Sequence, residues 1–385
     1  MSANPLSPTP PSSATLASAA IVDGDVEVTF SGSTLRSRFS PFWLRDHCHQ
    51  PESLHPETLQ RQVDTFAIPV DIAAERVVVE AGGSALRIVW RHDQSTSVLP
   101  ADFLRLIALT EGRERAPRRE LWDHAAMQGR FPTVPFAEVM DTDAGLLRWL
   151  ELVDTHGFAM ATGAPATTDA TKAIAQRVGY IRETIFGGFW DFSANLAFKD
   201  TAYTPVAIGP HTDGTYSIDS PGYQMFHCLQ HDGSGGENTL VDGFKVADTI
   251  RRTDPAAYAA LTTTKVPAHY LGDGVHLRAE HEIIALDADG EPRQVAYNNY
   301  DRAPFRLPNG RMAEFYRALK LWDRLVNDPG YEVAFKLTPG SVLLFDNWRT
   351  LHGRRAYTGF RRLCGAYLNK EDFDSRVRVL RSKVK

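Results

Sequence analysis

Cysteine is scarce in this chain: three in 385 residues, at Cys48, Cys228 and Cys364. Thiols so few and so scattered build no disulfide framework, which fits a reducing compartment. Long apolar runs are missing too. No stretch approaches the roughly eighteen uninterrupted apolar residues of a membrane span, so no membrane association is expected. Nor is there an excess of positive charge: 42 Lys and Arg against 47 Asp and Glu leave a formal charge of −5. Such a chain has no general field for a polyanion, and nucleic acid is not an expected partner. The first twenty residues, MSANPLSPTPPSSATLASAA, hold no basic residue, the first arginine being Arg36. They lack the early positive charge of a secretory signal and the amphipathic arginines of a transit peptide. We expect a disordered tail over 1–20 and a cytoplasmic protein.

What is present is the composition of a globular chain with length for two domains: 43% hydrophobic, 23% charged, 28 Gly and 23 Pro. Short runs alternate apolar and polar residues (AIVDGDVEVTF, RVVVEAG, SALRIVWRHDQSTSVLP), which predicts a small β-rich N-terminal domain over 21–110. A charged stretch interrupted by Pro117 reads as a connector over 111–130. Within 131–385, helical spacing marks AGLLRWLELVDTHG, TKAIAQRVGYIRETIFG, ADTIRRTDPAAYAALTT and GRMAEFYRALKLWDRLVND, and strand-like runs with Gly-rich turns fill most of the remainder after Asp200. The expected class is mostly β with flanking helices (α+β), a sandwich or barrel core and not a doubly wound sheet.

The sharpest local feature is His211-Thr212-Asp213, framed by Gly209-Pro210 and Gly214. In an extended backbone residues two apart point to the same side, so imidazole and carboxylate can grip one face of a metal ion. By itself an HxD is more often a turn with a solvated Asp. A later segment, FDNWRTLHGR, places His352 just after an apolar strand. Two His and one carboxylate leave three positions of an octahedral Fe(II) open, the facial triad of non-haem iron oxygenases. Nine residues beyond His352, in GFRRLCGAYL, stands Arg361. Its guanidinium would pair bidentately with a carboxylate such as the distal one of 2-oxoglutarate. A surface ion pair is the other reading of Arg361 and of its neighbour Arg362.

The segments RETIFGGFWDF, KDTAYT, GPHTDGTY, FHCLQHDGSGGENTLVDGF, YNNYDRA and FDNWRTLHGRRAYTGFRRLCGAYLN occur in order along the chain. With FSPFWLRDHC and HPETLQR nearer the N-terminus, the pattern from about residue 36 to 380 resembles the gamma-butyrobetaine hydroxylase and trimethyllysine hydroxylase branch of the taurine-dioxygenase-like superfamily. The resemblance implies a double-stranded β-helix (jelly-roll) core, Fe(II), 2-oxoglutarate as co-substrate, O2, a small-molecule trimethylammonium substrate and a homodimer. It implies iron ligation by His211, Asp213 and His352, and a co-substrate anchor at Arg361. Asn238 stands where many relatives carry a hydroxyl that also touches the co-substrate.

A quaternary ammonium has no N–H to donate, so aromatic faces recognise it. Trp190, Tyr203 and Tyr367 match the cage positions of that branch, and Phe186 stands where relatives usually carry Tyr. Asp200 and Asn298 match positions that hold the other end of the substrate. Gamma-butyrobetaine hydroxylases typically have Asn at the first of these, so Asp200 points to N6-trimethyllysine, whose ammonium lies beside its carboxylate. The competing substrates are gamma-butyrobetaine or another trimethylammonium acid, such as a trimethylaminoethylphosphonate. A non-catalytic betaine-binding protein is a third reading. Many relatives hold zinc in the N-terminal domain with three Cys and one His. Here only Cys48 persists, with Gln50, Ser53 and Gln94 at the other positions, so zinc is not expected.

Overall fold

Alternating burial along the first strands realises the sequence pattern. The computed structural model describes residues 14–111, 119–192, 204–272 and 274–384, which fall into two units. In the N-terminal unit, Leu16–Val22, Asp25–Phe30 and Arg36–Phe39 form one antiparallel sheet, and Ala74–Val79, Ala85–Trp90 and Thr96–Pro100 form another. Asp23 and Gly24, both at positive φ, make the tight turn between the first two strands. Val26, Val28 and Phe30 on the first sheet and Leu86, Ile88 and Trp90 on the second bury a common cluster. The first strand begins inside the segment expected to be a tail: Leu16 pairs with Phe30 and is buried, so its apolar side chain is spent on the core. Cys48 is buried with its thiol 3.3 Å from Gln50 Oε1.

The core of the larger unit is two sheets between two helical layers, with two further two-stranded pairs, Lys265–Gly272 with Val275–Glu282 and Ile284–Leu286 with Pro292–Val295, beside it. The first sheet runs in the order Phe189–Phe192, Phe360–Leu368, Tyr223–Asp232, Ser341–Asp346, Phe158–Thr162, Thr133–Pro135, with Ile181–Arg182 also beside Phe360–Leu368. The second runs Ile208–His211, Thr350–Arg354, Asn238–Asp242, Glu332–Phe335. Phe158, Leu343, Phe345 and Leu363 of the first share a buried cluster with Leu240 and Val333 of the second. The outer face of the first sheet packs on Asp143–His156, Thr168–Val178 and Lys370–Lys383, that of the second on Gly243–Thr253, Pro255–Thr263 and Arg311–Val326. This is the jelly-roll with flanking helices anticipated from the sequence. Among the described residues no helix is long and apolar enough to cross a membrane.

Three local expectations need correction. The helix expected over 171–187 stops at Val178, and Ile181 and Arg182 pair with Leu368 and Tyr367, where sheet hydrogen bonds replace helical ones. The segment 247–263 is two helices broken at Asp254, whose carboxylate caps Ala257 N–H while Pro255 starts the new helix. The end of the expected connector belongs to the larger unit: Trp122 is 1% exposed and packs edge-on against Phe158, 5.2 Å between centroids. The C-terminal helix Lys370–Lys383 was not anticipated; it docks Phe373 and Leu380 into the helical side of the core.

One buried ion pair ties these parts together. Arg349 Nε and Nη2 donate to Asp242 Oδ1 and Oδ2 at 3.1 and 2.8 Å, and both side chains are sealed from solvent. The remaining donors of Arg349 meet Thr155 O and Glu120 O, and Asp242 also accepts from Trp122 N–H and Phe244 N–H. Breaking such a pair strands a buried charge, which costs about 3–5 kcal/mol. We therefore expect Arg349→Met to lower the urea midpoint by a corresponding amount without changing the denaturant slope, read from equilibrium unfolding curves.

Candidate active site

Sheet register brings the two histidines together. His211 ends its strand directly opposite His352, with a one-residue irregularity between Ile208 and His211 that re-aims the strand end. The imidazole centroids are 4.3 Å apart. Asp213 reaches them because the chain turns at once: Gly214 has φ +72, and a Cβ there would lie 2.5 Å from Pro221 Cδ. Asn347 holds this turn like a peptide unit. Its Oδ1 accepts from Asp213 N–H at 2.8 Å, and its Nδ2 donates to Asp213 O at 3.0 Å and Pro221 O at 2.9 Å.

His211 Nδ1–H donates to Gly209 O at 2.9 Å, which leaves Nε2 facing Asp213 Oδ1 at 3.2 Å. His352 Nε2 lies 3.7 Å from Asp213 Oδ2. Among the described residues these three are the one group whose ligand atoms could share a metal ion, all lying within 4.8 Å of one another. Burial alone would raise the Asp213 carboxyl, but the His352 and His211 imidazoles and the Tyr367 hydroxyl outweigh it and hold it below the ordinary carboxylate range. Burial and the neighbouring His211 push His352 down to about 3, so it stays neutral and keeps a lone pair for a metal. Burial opposes protonation of His211 too, yet contact with Asp213 wins and raises it. Two imidazoles and a carboxylate at this spacing are a donor set that fits Fe(II).

The triad opens into a pocket that two arginines also line, Arg354 and Arg361. At one end Arg361, 4% exposed, donates to Asn238 Oδ1 at 3.2 Å and lies over the Tyr357 ring. Burial and the nearby Arg354 push its guanidinium down to about 10, still charged at neutral pH. Asn238 Nδ2 is buried without a hydrogen-bond partner and lines the same pocket, so an amide donor stands beside the cation. Arg362, on the opposite face of the strand, pairs with Asp191 at the surface. Alternation along one strand thus separates the two arginines, one into the pocket and one to an exposed ion pair.

Trp190, Phe186, Tyr367 and Asn298 also line the pocket. Trp190 and Tyr367 meet at 5.7 Å with planes 63° apart. Tyr367 does more than offer a face, because its hydroxyl donates to Asp213 Oδ2 at 2.6 Å. Trp190 lies over Gly365, where an added Cβ would come within 2.4 Å of the indole and 1.9 Å of Met225 O. Asn298 Nδ2 donates to Asp301 Oδ2 at 2.8 Å. Two expected substrate residues, Asp200 and Tyr203, lie outside the described residues. The wall also includes Tyr216, Phe226, Tyr300, Asp301 and Arg354, none named from the sequence. Tyr300 and Asp301 sit inside YNNYDRA and Arg354 two residues after His352, so proximity to motif residues was the available signal.

Residues 118–367 match the model of the taurine catabolism dioxygenase TauD, TfdA family, and residues 21–105 match that of the gamma-butyrobetaine hydroxylase-like N-terminal domain. A trimethyllysine dioxygenase of Meyerozyma guilliermondii is 38% identical over 93% of this chain and 94% of its own. The mitochondrial trimethyllysine dioxygenase of Mus musculus is 33% identical over 92% and 85%. A gamma-butyrobetaine dioxygenase of Pseudomonas sp. is 32% identical over 95% and 96%.

Losing a group that orients a ligand typically costs about 10–100-fold in metal affinity. Asn347→Ala should therefore weaken Co(II) or Fe(II) binding by that factor, read by titrating the visible absorption of Co(II). Far-UV circular dichroism should remain that of the parent protein.

Proposed function

Because the chain belongs to the TauD, TfdA family of dioxygenases, we propose that it hydroxylates an unactivated C–H of N6-trimethyllysine with Fe(II), 2-oxoglutarate and O2. One arrangement carries this reading: the His211, Asp213 and His352 cluster lies between an aromatic wall and the buried guanidinium of Arg361. When bound, iron, 2-oxoglutarate and O2 supply the oxidising chemistry, in which the 2-oxo acid leaves as succinate and CO2 and one oxygen atom enters the substrate.

The chain's own contribution is binding and orientation. His211, Asp213 and His352 hold the metal, with His211 fixed in one tautomer by Gly209 O. Arg361 and the Nδ2 donor of Asn238 take the distal carboxylate of the co-substrate. Phe186, Trp190 and Tyr367 turn π faces to the trimethylammonium, and in this reading Tyr203 joins them. Asn298 receives the amino-acid end together with Asp200. The two ends set which carbon faces the metal.

Gamma-butyrobetaine is the second substrate to test, favoured by the similarity to the Pseudomonas enzyme. Three buried, unpaired cysteines fit a reducing compartment, and we place the enzyme in the cytoplasm.

Anaerobic reconstitution with Fe(II) and 2-oxoglutarate, then exposure to O2, should add one oxygen atom to trimethyllysine with matching succinate, read by mass spectrometry. Iron-dependent succinate release with neither trimethyllysine nor gamma-butyrobetaine would overturn the reading. His211→Ala, Asp213→Ala and His352→Ala should each abolish turnover. Arg361→Leu removes a charge-assisted bond and strands a carboxylate, a loss of about 2–5 kcal/mol that appears as a steeply raised 2-oxoglutarate KM. Arg362→Leu, which breaks only a surface pair with Asp191, should leave that KM near the parent value.

A further inference from the structure

We propose that Tyr367 is a positioning residue for the metal: its hydroxyl fixes the Asp213 carboxylate while its ring faces the trimethylammonium, so that different atoms of one side chain serve the two subsites. This rests on the metal-dependent trimethylammonium reading above and deepens it.

A carboxylate ligand has to be held twice, at its main chain and at its oxygens, and two different residues do this for Asp213. Asn347 bonds to the N–H and C=O of Asp213 and so fixes the turn, but it leaves the carboxylate to swing about its side-chain torsions. Among the described residues three groups approach those oxygens: His211 Nε2 at 3.2 Å from Oδ1, His352 Nε2 at 3.7 Å from Oδ2, and the Tyr367 hydroxyl at 2.6 Å from Oδ2. Both imidazoles are ligands themselves and give their lone pairs to a metal, so of the three the hydroxyl alone remains to orient the carboxylate. An ionised carboxylate only accepts, so the phenol is the donor, in a short charge-assisted bond.

Tyr367 is well mounted for the task. It is 8% exposed, and its strand is paired on both sides, with Gln224 opposite it on one and Arg182 on the other. The buried amide of Gln224 brings Nε2 to 3.5 Å from the phenolic oxygen, a donor approaching the lone pairs that remain once the proton is given to Asp213. The ring stands against Trp190 at 5.7 Å and lines the pocket. Ring and hydroxyl are rigidly joined, yet their partners differ: a π face meets a quaternary cation, and an O–H meets a carboxylate. Removing the oxygen alone therefore separates the two roles.

The test uses two binding measurements on the full chain. Co(II) is titrated into the metal-free protein and followed by its visible absorption, and trimethyllysine binding is measured by calorimetry at saturating Co(II) and 2-oxoglutarate. Tyr367→Phe should weaken Co(II) by about 10–100-fold and shift its absorption band, the loss expected when a group that orients a ligand is removed. Trimethyllysine should bind that variant near the parent Kd, which also reports that it is folded. Trp190→Ala should do the reverse, weakening trimethyllysine and leaving the Co(II) affinity and band as in the parent. A Tyr367→Phe protein with the parent's Co(II) affinity and band overturns the role of the hydroxyl and leaves the trimethyllysine reading standing. So does one that loses trimethyllysine as severely as Co(II), because ring and hydroxyl would then not be separable. A parent protein that binds Co(II) but neither trimethyllysine nor gamma-butyrobetaine overturns the substrate reading and the shared role with it.

Discussion

The Arg349–Asp242 pair is the constraint from which the site hangs. A guanidinium and a carboxylate, both removed from water, persist because each meets the other and because both find backbone partners, at Glu120, Trp122 and Thr155 from two other segments and at Phe244 just after Asp242. Arg349 immediately precedes the strand Thr350–Arg354, so the same contacts that satisfy its charge set where His352 enters the interior. Asp242 ends the neighbouring strand, which pairs Leu240 against His352 and Asn238 against Arg354. Two residues earlier in the chain, Asn347 clamps the turn of Asp213. Ligands separated by some 140 residues are thereby fixed to one corner of the fold through a short stretch of chain.

The strand Phe360–Leu368 distributes the chemistry. Its alternate residues Arg361, Leu363 and Tyr367 face the pocket, and Gly365 leaves room for Trp190. One extended segment thus carries a buried guanidinium at one end and a pocket-lining aromatic at the other, spaced by the pleat. Tyr367 joins the two functions, since its ring stands against Trp190 while its hydroxyl restrains the Asp213 carboxylate. A substrate that presses on the aromatic wall therefore touches a group bonded to a metal ligand. In the same wall Arg361 meets Asn238 and Asp301 meets Asn298.

By itself the sequence determined the composition of the chemistry: an HxD, a distant histidine after an apolar strand, an arginine nine residues on, and a set of aromatics suited to a quaternary cation. Periodicity also determined the broad architecture, because alternating and helical spacing are local properties of the chain. Where local patterns failed, nonlocal pairing had won: the residues after Gly179 follow sheet bonds to Tyr367 and Leu368, and Leu16 follows its partner Phe30. Only the tertiary structure decided between Arg361 and Arg362, since a one-residue step in a strand exchanges core for solvent and sequence spacing cannot say which face is which. It alone placed the Tyr367 hydroxyl on Asp213, gave Asn347 its clamp and set Asp301 in the pocket, because each depends on segments remote in the chain being folded onto one another.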